Sequence, residues 1–142
     1  MTDTTNITAV RRFLELQYQG DIEEAFRRYA HPDFRWVVST RDHDELREAI
    51  PWAGYTHEGR QGYERLVGQL FSEFESLEFS PKDFIDAGDR VFVEGRFVFR
   101  HRQTARLAVS DFLGRFDLRQ GRIAGGQFYE NTAAVADARR AE

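Results

Sequence analysis

The sequence predicts an α+β domain in which helices pack on one face of a curved antiparallel sheet. Two observations define this class. Apolar residues recur at helical spacing in most of the first half of the chain, whereas the second half alternates with a period of two and is divided by short Gly-containing turns. At 142 residues the chain is long enough for one hydrophobic core, so we expect a single domain over residues 1–142.

Three amphipathic helices are predicted. The first covers residues 7–19 and is closed by Gly20. The second follows Asp21, a suitable N-cap, and its acidic first turn and basic last turn match the helix dipole. The third covers residues 62–74, and the polar segment before Pro51 has room for a short helix.

The strands are predicted from alternation. The stretch "FRWVVS" (34–39) alternates as a half-buried strand does. Residues 77–100 indicate two strands joined at "AGD", and residues 105–118 and 121–132 indicate two more joined at "RQG". The last four strands therefore form a meander.

Composition excludes several classes of function. The net charge is −4 without a basic stripe, which argues against nucleic-acid binding, and the chain has no cysteine. There is no apolar run of about 18 residues and no basic-then-apolar leader, so we expect a cytoplasmic protein that does not span a membrane. We expect no metal, since the four His residues show no ligand-type pairing, and no cofactor, since no phosphate loop or nucleotide fingerprint is present.

Four stretches carry a family resemblance: "QGDIEEAFRRYAHPDFRW", "PWAGYTHEGRQGYERLVGQLF", "AGDRVFVEGRF" and "GRIAGGQFYENTAAV". In order and spacing they resemble the SnoaL-like polyketide cyclases of the nuclear transport factor 2-like superfamily, over roughly residues 8–136. The resemblance implies a cone-shaped curved antiparallel sheet that, with three helices, encloses one deep apolar pocket for a hydrophobic small molecule. It also implies a homodimer formed through the outer face of the sheet.

The resemblance further implies positions for an acid/base pair. Cyclases of this family close a ring by an aldol-type step that removes a proton next to a carbonyl. The relatives use an Asp in the last strand and a His on the neighbouring strand, and these positions fall on Asn131 and Gly114. An amide does not titrate in the useful range and glycine has no side chain, so the pair is absent as written. The epoxide hydrolases on this fold need an Asp-Arg-Asp set, and this set is incomplete here because Asn131 occupies the place of its last Asp.

Alternation assigns the faces of the last two strands. Over residues 105–118 the face with Ser110 and Phe112 is apolar and is predicted to line the pocket, which leaves the charged residues of that strand outside. In the last strand, an inward Asn131 would turn Tyr129 and Gln127 inward as well, and Glu130 outward. We expect Asn131 and Tyr129 to be the candidate catalytic residues.

Two interpretations of the glycine pair at 125–126 stay open. The glycines could leave room for a ligand to approach the backbone, or they could mark a bulge beside which the amides only satisfy nearby backbone groups. Glu94 and Arg96 also have two interpretations. They either form an ion pair or dimer contact, or Glu94 is a displaced acid/base whose pKa Arg96 adjusts.

Aromatic residues supply the candidate ligand contacts. The predicted ligand-binding residues are Tyr18, Trp36, Trp52, Tyr55, Ser110, Phe112 and Gln127. The alternative for the aromatic members is that they only fill the core. We expect His57 and Glu58, which lie between glycines, to be in a solvated turn.

Two functions from different classes compete at this point. One is a cyclase or isomerase-type enzyme acting without a cofactor on a hydrophobic, oxygenated, polycyclic small molecule. The other is a non-catalytic binding protein that kept the pocket and lost the acid/base pair.

Overall fold

The computed structural model describes residues 3–141 and confirms the α+β fold. Within this range the helices are α1 (Thr5–Tyr18), α2 (Ile22–Tyr29), α3 (Asp44–Ala49), α4 (Gly59–Glu73) and α5 (Thr132–Arg139). The strands are β1 (Ala30–Val38), β2 (Thr56–Glu58), β3 (Phe74–Asp86), β4 (Arg90–His101), β5 (Leu107–Arg119) and β6 (Arg122–Glu130).

The strands form a curved, unclosed sheet in the order β2-β1-β6-β5-β4-β3. The meander from β3 to β6 is antiparallel as predicted, and so is the pair β1 and β2. The pair β1 and β6 is parallel, which alternation did not predict. No hairpin constrains its direction, because helices and four other strands separate the two strands along the chain.

Local side-chain chemistry sets the helix starts. The Thr4 hydroxyl caps α1 by accepting a hydrogen bond from the Ile7 amide at 3.2 Å, and Asp21 caps α2 as predicted. Helix α3 follows the His43 cap. Helix α5 was not predicted, and it has no side-chain hydrogen bond at its N-cap, Asn131.

An aromatic cluster joins the helices to the sheet. The rings of Phe13 from α1, Phe34 from β1 and Tyr63 from α4 have centroids 5.5 to 6.0 Å apart. Each of these residues is buried, and such aromatic pairs contribute about 0.5–1.5 kcal/mol beyond their buried area. The cluster fixes α1 and α4 over the concave face of the sheet.

A bulge in β6 changes which of its side chains face inward. Asp117 of β5 pairs with Gly125, whereas Leu118 pairs with Ile123, so Ala124 is an extra residue in β6. One extra residue inverts the alternation that follows it. A Cβ atom on Gly125 would overlap the carbonyl oxygen of Arg35 in β1. A Cβ atom on Gly126 would overlap the carbonyl oxygen of Arg115 in β5.

Gly125→Ala should therefore destabilise the protein by about 2–4 kcal/mol, because its φ of +137° is unfavourable for alanine and the added methyl has no space. Gly68→Ala in α4 is the matched control: nothing lies within 4 Å of its added Cβ, and the change should stabilise the helix by about 1 kcal/mol. Urea denaturation measures both. A Gly125→Ala protein as stable as the wild type would contradict the close approach of the strands.

Candidate functional site

A cavity lies between the concave face of the sheet and helices α1, α4 and α5. Its volume is about 90 Å³. The wall is mostly aliphatic and aromatic, and the side chains that line it include Leu14, Trp36, Trp52, Leu66, Val67, Leu70, Phe71, Phe79, Phe99, Phe112, Phe116, Phe128 and Val135. Gln17, Tyr18, Tyr63 and Glu130 add polar groups to this wall.

Glu130, the last residue of β6, places a carboxyl group against the apolar wall. Its neighbour across the sheet is Phe112, which faces inward. Within residues 3–141 no side chain or backbone group forms a hydrogen bond or ion pair with this carboxyl. Burial disfavours the carboxylate and raises the pKa of Glu130 to about 8. Glu130 is thus a titratable group of the cavity near neutral pH.

The bulge explains why Glu130 and not its neighbours faces the cavity. After Ala124 the inward residues are Gly126, Phe128 and Glu130, as their pairing with the inward residues of β5 shows. The expectation that Gln127, Tyr129 and Asn131 point inward is wrong, and so is the outward placement of Glu130. Of the two interpretations of the glycine pair, the bulge is the one observed.

Gln127, Tyr129 and Asn131, which do not face the cavity, have other environments. The Gln127 amide donates to the Ser39 carbonyl oxygen at 2.7 Å, and the Tyr129 side chain is 41% exposed on the outer face. Asn131 is exposed at the start of α5. Its backbone N–H donates to the Ser110 Oγ at 3.0 Å. Ser110 is buried on the predicted face, yet it anchors α5 and is not part of the cavity wall.

Four of the five aromatic residues predicted to contact a ligand lie in the cavity wall. Trp36, Trp52, Phe112 and Tyr18 line the cavity. Tyr18 is 46% exposed and stacks on Phe79, with the ring centroids 5.7 Å apart. Tyr55 lies outside the wall, where its ring contacts His57 and the Arg47 guanidinium. Gly114, at the position of the family His, lines the cavity, but a Cβ atom there would lie 3.0 Å from the Phe116 ring, so that ring partly fills the space beside it.

Gln17 of α1 and Tyr63 of α4 form a polar pair in the helical wall of the cavity. Both side chains are buried, and the Tyr63 hydroxyl donates to the Gln17 Oε1 at 3.4 Å. Burial also raises the pKa of Tyr63, so its hydroxyl stays protonated at neutral pH.

His57 supports the segment that carries Trp52. It is buried, which corrects the expectation of a solvated turn at this position. Its Nε2 lies 2.8 Å from the Trp52 carbonyl oxygen, and burial lowers the pKa of His57. The imidazole is therefore neutral at pH 7, with Nε2–H donating to that oxygen.

An ionic cluster fastens α5 beside the cavity. The Arg139 guanidinium donates to both Glu73 carboxylate oxygens at 2.7 and 3.0 Å, and to the Ala49 carbonyl oxygen at 2.6 Å. The buried His101 lies 3.1 Å from the same carboxylate. Hydrogen bonds from Arg139, and secondarily from His101, lower the pKa of Glu73. This cluster holds the helix that contributes Val135 to the wall.

Glu94 does not take part in the cavity. It is exposed on the outer face of β4, opposite Leu113 of β5. The hypothesis that it is a displaced acid/base of the cavity is therefore wrong. Within residues 3–141 there is no cluster of three or more acidic or His side chains suited to a metal ion. None of the helices in this range combines the length and apolar character of a membrane-spanning helix.

The curved sheet and the helices that cover its concave face define a class of two-layer α+β proteins, here with an apolar cavity between the layers. A family model described as the SnoaL-like domain matches residues 10–125. The chain belongs to this SnoaL-like family, as its sequence motifs indicated. Glu130 lies beyond the matched residues.

Solved structures show the same fold. An NTF2-like protein from Burkholderia xenovorans is 24% identical, with 99% of each chain covered and a TM-score of 0.81. TerC co-crystallised with polyporic acid is 22% identical over 95% of this chain and 98% of TerC, with a TM-score of 0.77. A protein from Jannaschia sp. CCS1 described as a SnoaL-like polyketide cyclase is 16% identical over 100% and 99% of the chains, with a TM-score of 0.76. No curated protein matches the sequence significantly.

Replacing Glu130 by Gln should remove a pH dependence of stability. The Glu130 pKa rises from 4.5, its ordinary value, to about 8 on folding, so the folded protein keeps a proton that the unfolded chain releases. The free energy of unfolding should then fall as the pH rises from about 5 to 8, by up to about 1.4 kcal/mol per pH unit. The lowered pKa of His57 makes the free energy of unfolding change with pH in the opposite direction. This contribution is the same in the wild type and in Glu130→Gln, so it cancels when the two proteins are compared.

Urea denaturation at several pH values measures this difference. Glu48→Gln, at an exposed position of α3 outside the cavity wall, is the matched control and should keep the wild-type pH dependence. Parallel curves for the wild type and Glu130→Gln would show that the carboxyl is solvated.

Proposed function

We propose that the protein binds a hydrophobic, oxygen-bearing small molecule in the cavity and catalyses proton transfer on it, with Glu130 as the acid/base. The observation that carries this proposal is the carboxyl of Glu130 in an apolar wall, without a hydrogen-bond partner within residues 3–141. A pKa of about 8 lies close to neutral pH, where a general acid/base is most effective. An ion-paired structural carboxylate would have its pKa shifted in the opposite direction.

The reaction follows from the chemistry of a carboxyl group in an apolar space. The Glu130 carboxylate removes a proton from a carbon next to a carbonyl, which gives an enolate and a protonated Glu130. In an unsaturated ketone the enolate is conjugated, and return of the proton from Glu130 to a different carbon completes an isomerisation. In a molecule with a second carbonyl, attack of the enolate carbon on that carbonyl closes a ring, and Glu130 gives its proton to the new alkoxide oxygen. Both outcomes are of the cyclase or isomerase type and need no cofactor.

The cavity limits the size of the ligand. Its volume of about 90 Å³ is below the roughly 300–1,000 Å³ of typical ligand pockets. A ligand with one ring fits a cavity of this size with little movement of the surrounding side chains. A polycyclic ligand requires apolar side chains such as Phe71 and Phe79 to move. The co-crystal of TerC with polyporic acid supports an organic small molecule as the ligand of this fold.

Glu130→Gln should abolish proton exchange on an enolisable ketone. With cyclohexanone in D₂O, we expect wild-type protein to exchange the hydrogens next to the carbonyl about 10²-fold faster than Glu130→Gln, as for loss of a general base. The wild-type rate should rise with pH and level off above about pH 8, since the deprotonated carboxyl is the base. Proton NMR measures the exchange.

Glu48→Gln is the control for this experiment, because it removes an exposed carboxylate of α3 outside the cavity wall. It should exchange protons at the wild-type rate. Equal rates for all three proteins would reject Glu130 as the base.

A non-catalytic binding protein is the second candidate. The positions of the family acid/base pair hold Gly114, which has no side chain, and Asn131, which is exposed outside the cavity. Ligand binding that Glu130→Gln leaves intact, together with equal exchange rates, would favour this candidate.

We further propose that two copies of the chain pair through the outer face of the sheet. Leu107, Val109, Leu113 and Tyr129 each expose 38% or more of their surface there. Glu94, Arg96 and Asp111 lie on the same face, so a two-fold arrangement can bring opposite charges together.

Leu113→Arg should convert the protein from a dimer to a monomer, because it places a like charge from each copy at the centre of this surface. Light scattering after size-exclusion chromatography measures the mass, which should halve. Gln69→Arg on exposed α4 is the control and should stay dimeric. A wild-type protein that is monomeric at micromolar concentration would contradict the interface.

A further inference from the structure

The Gln17 and Tyr63 pair has hydrogen-bonding capacity that the fold does not use. Gln17 is 8% exposed and Tyr63 is 6% exposed, and both line the cavity. Their one mutual hydrogen bond, at 3.4 Å, is longer than the range of about 2.5–3.0 Å usual for a hydroxyl donor and is therefore weak. Within residues 3–141 the Gln17 amide nitrogen has no acceptor, and no group donates to the Tyr63 oxygen.

The pair lies in a largely aromatic environment. Tyr63 contacts the rings of Phe13, Phe26, Phe34 and Trp36, none of which offers its hydroxyl a hydrogen-bond acceptor. Within residues 3–141 every fully buried side-chain nitrogen and oxygen has a hydrogen-bond partner, so the unpaired Gln17 amide nitrogen is not fully buried and stays free to bond a group in the cavity. An apolar residue of similar shape at either position would fill the wall without a polar group to satisfy. A ligand oxygen therefore explains the pair better than packing does.

We propose that Gln17 and Tyr63 form a subsite that binds one carbonyl or hydroxyl oxygen of the ligand. This inference rests on the proposed function and adds a second polar contact, on the helical wall, to the Glu130 contact on the sheet wall. Gln17 donates from its amide nitrogen or accepts at its oxygen, depending on the rotation of the amide, and Tyr63 donates from its hydroxyl. Either kind of ligand oxygen can thus be satisfied.

The subsite defines the ligand class more closely. The oxygen bound by Gln17 and Tyr63 is held by α1 and α4, whereas Glu130 acts from β6 on the facing wall. Between the two lies an apolar wall of aromatic and aliphatic side chains. The preferred ligand is therefore a compact apolar ring that carries an oxygen on the side away from the carbon that Glu130 deprotonates.

Phenol and toluene test the subsite, because they differ by a hydroxyl in place of a methyl group. Titrations followed by methyl NMR measure both affinities, and a shift of the Val135 methyl signals reports binding in the cavity. In Tyr63→Phe and in Gln17→Leu, the affinity for phenol relative to toluene should fall about three- to tenfold, as for the loss of one hydrogen bond. The two variants are independent, so a folding defect in one leaves the other informative.

Tyr29→Phe and Gln69→Leu are the matched controls, since each makes the same chemical change at a position outside the cavity wall. Both should keep the wild-type preference. A purely structural role of Gln17 and Tyr63 would lower stability and leave the phenol to toluene ratio unchanged, and that result would overturn the subsite.

The failure of the subsite can be told apart from the failure of the proposed function. Phenol and toluene can both bind in the cavity, and Glu130 can support ketone exchange, while the phenol to toluene affinity ratio is unchanged in Tyr63→Phe and Gln17→Leu. In that case only the subsite is wrong. If neither probe shifts the Val135 signals of the wild type, ligand binding in the cavity is wrong and the subsite falls with it.

Discussion

The close approach of three strands at one pair of glycines determines the rest of the site. β6 lies between β1 and β5, and at Gly125 and Gly126 its backbone comes so near the carbonyl groups of both neighbours that no side chain fits. The extra residue Ala124 can be accommodated there, because glycine tolerates the conformation it requires. Every side chain beyond the bulge then takes the face opposite to that expected, and Glu130 reaches the cavity.

The polar groups of the cavity work against stability. An apolar wall raises the free energy of a carboxylate, so Glu130 is held protonated over much of the neutral range, and the Gln17 amide and Tyr63 hydroxyl are also imperfectly paired. The surrounding aromatic core compensates for these costs. The ionic cluster of Glu73, His101 and Arg139 adds a second attachment, since it holds α5 at the edge of the same space. Local rules of stability are commonly broken at functional sites.

Periodicity was sufficient for most of the fold. Apolar spacing predicted α1, α2 and α4, and alternation predicted β3 to β5. Most predicted ends of these elements lie within one to three residues of the observed ends. Ser110 and Phe112 are on the buried face of β5, as predicted. The site was less predictable, because one inserted residue in β6 reverses the orientation of residues 126–130. The glycine pair was the available signal for this bulge, but alternation alone could not choose between a bulge and a ligand contact. The burial of His57 depends on its bond to Trp52, a tertiary contact that local polarity does not reveal.

The cavity also has a consequence for the response to hydrostatic pressure. A folded chain that encloses a space of about 90 Å³ occupies more volume than its atoms require, and unfolding eliminates that space. Volume changes of unfolding scale with such voids and are typically about −20 to −100 mL/mol. Compression should therefore favour the unfolded chain, and a molecule that fills the space between α4 and the sheet should make the folded chain more resistant to compression.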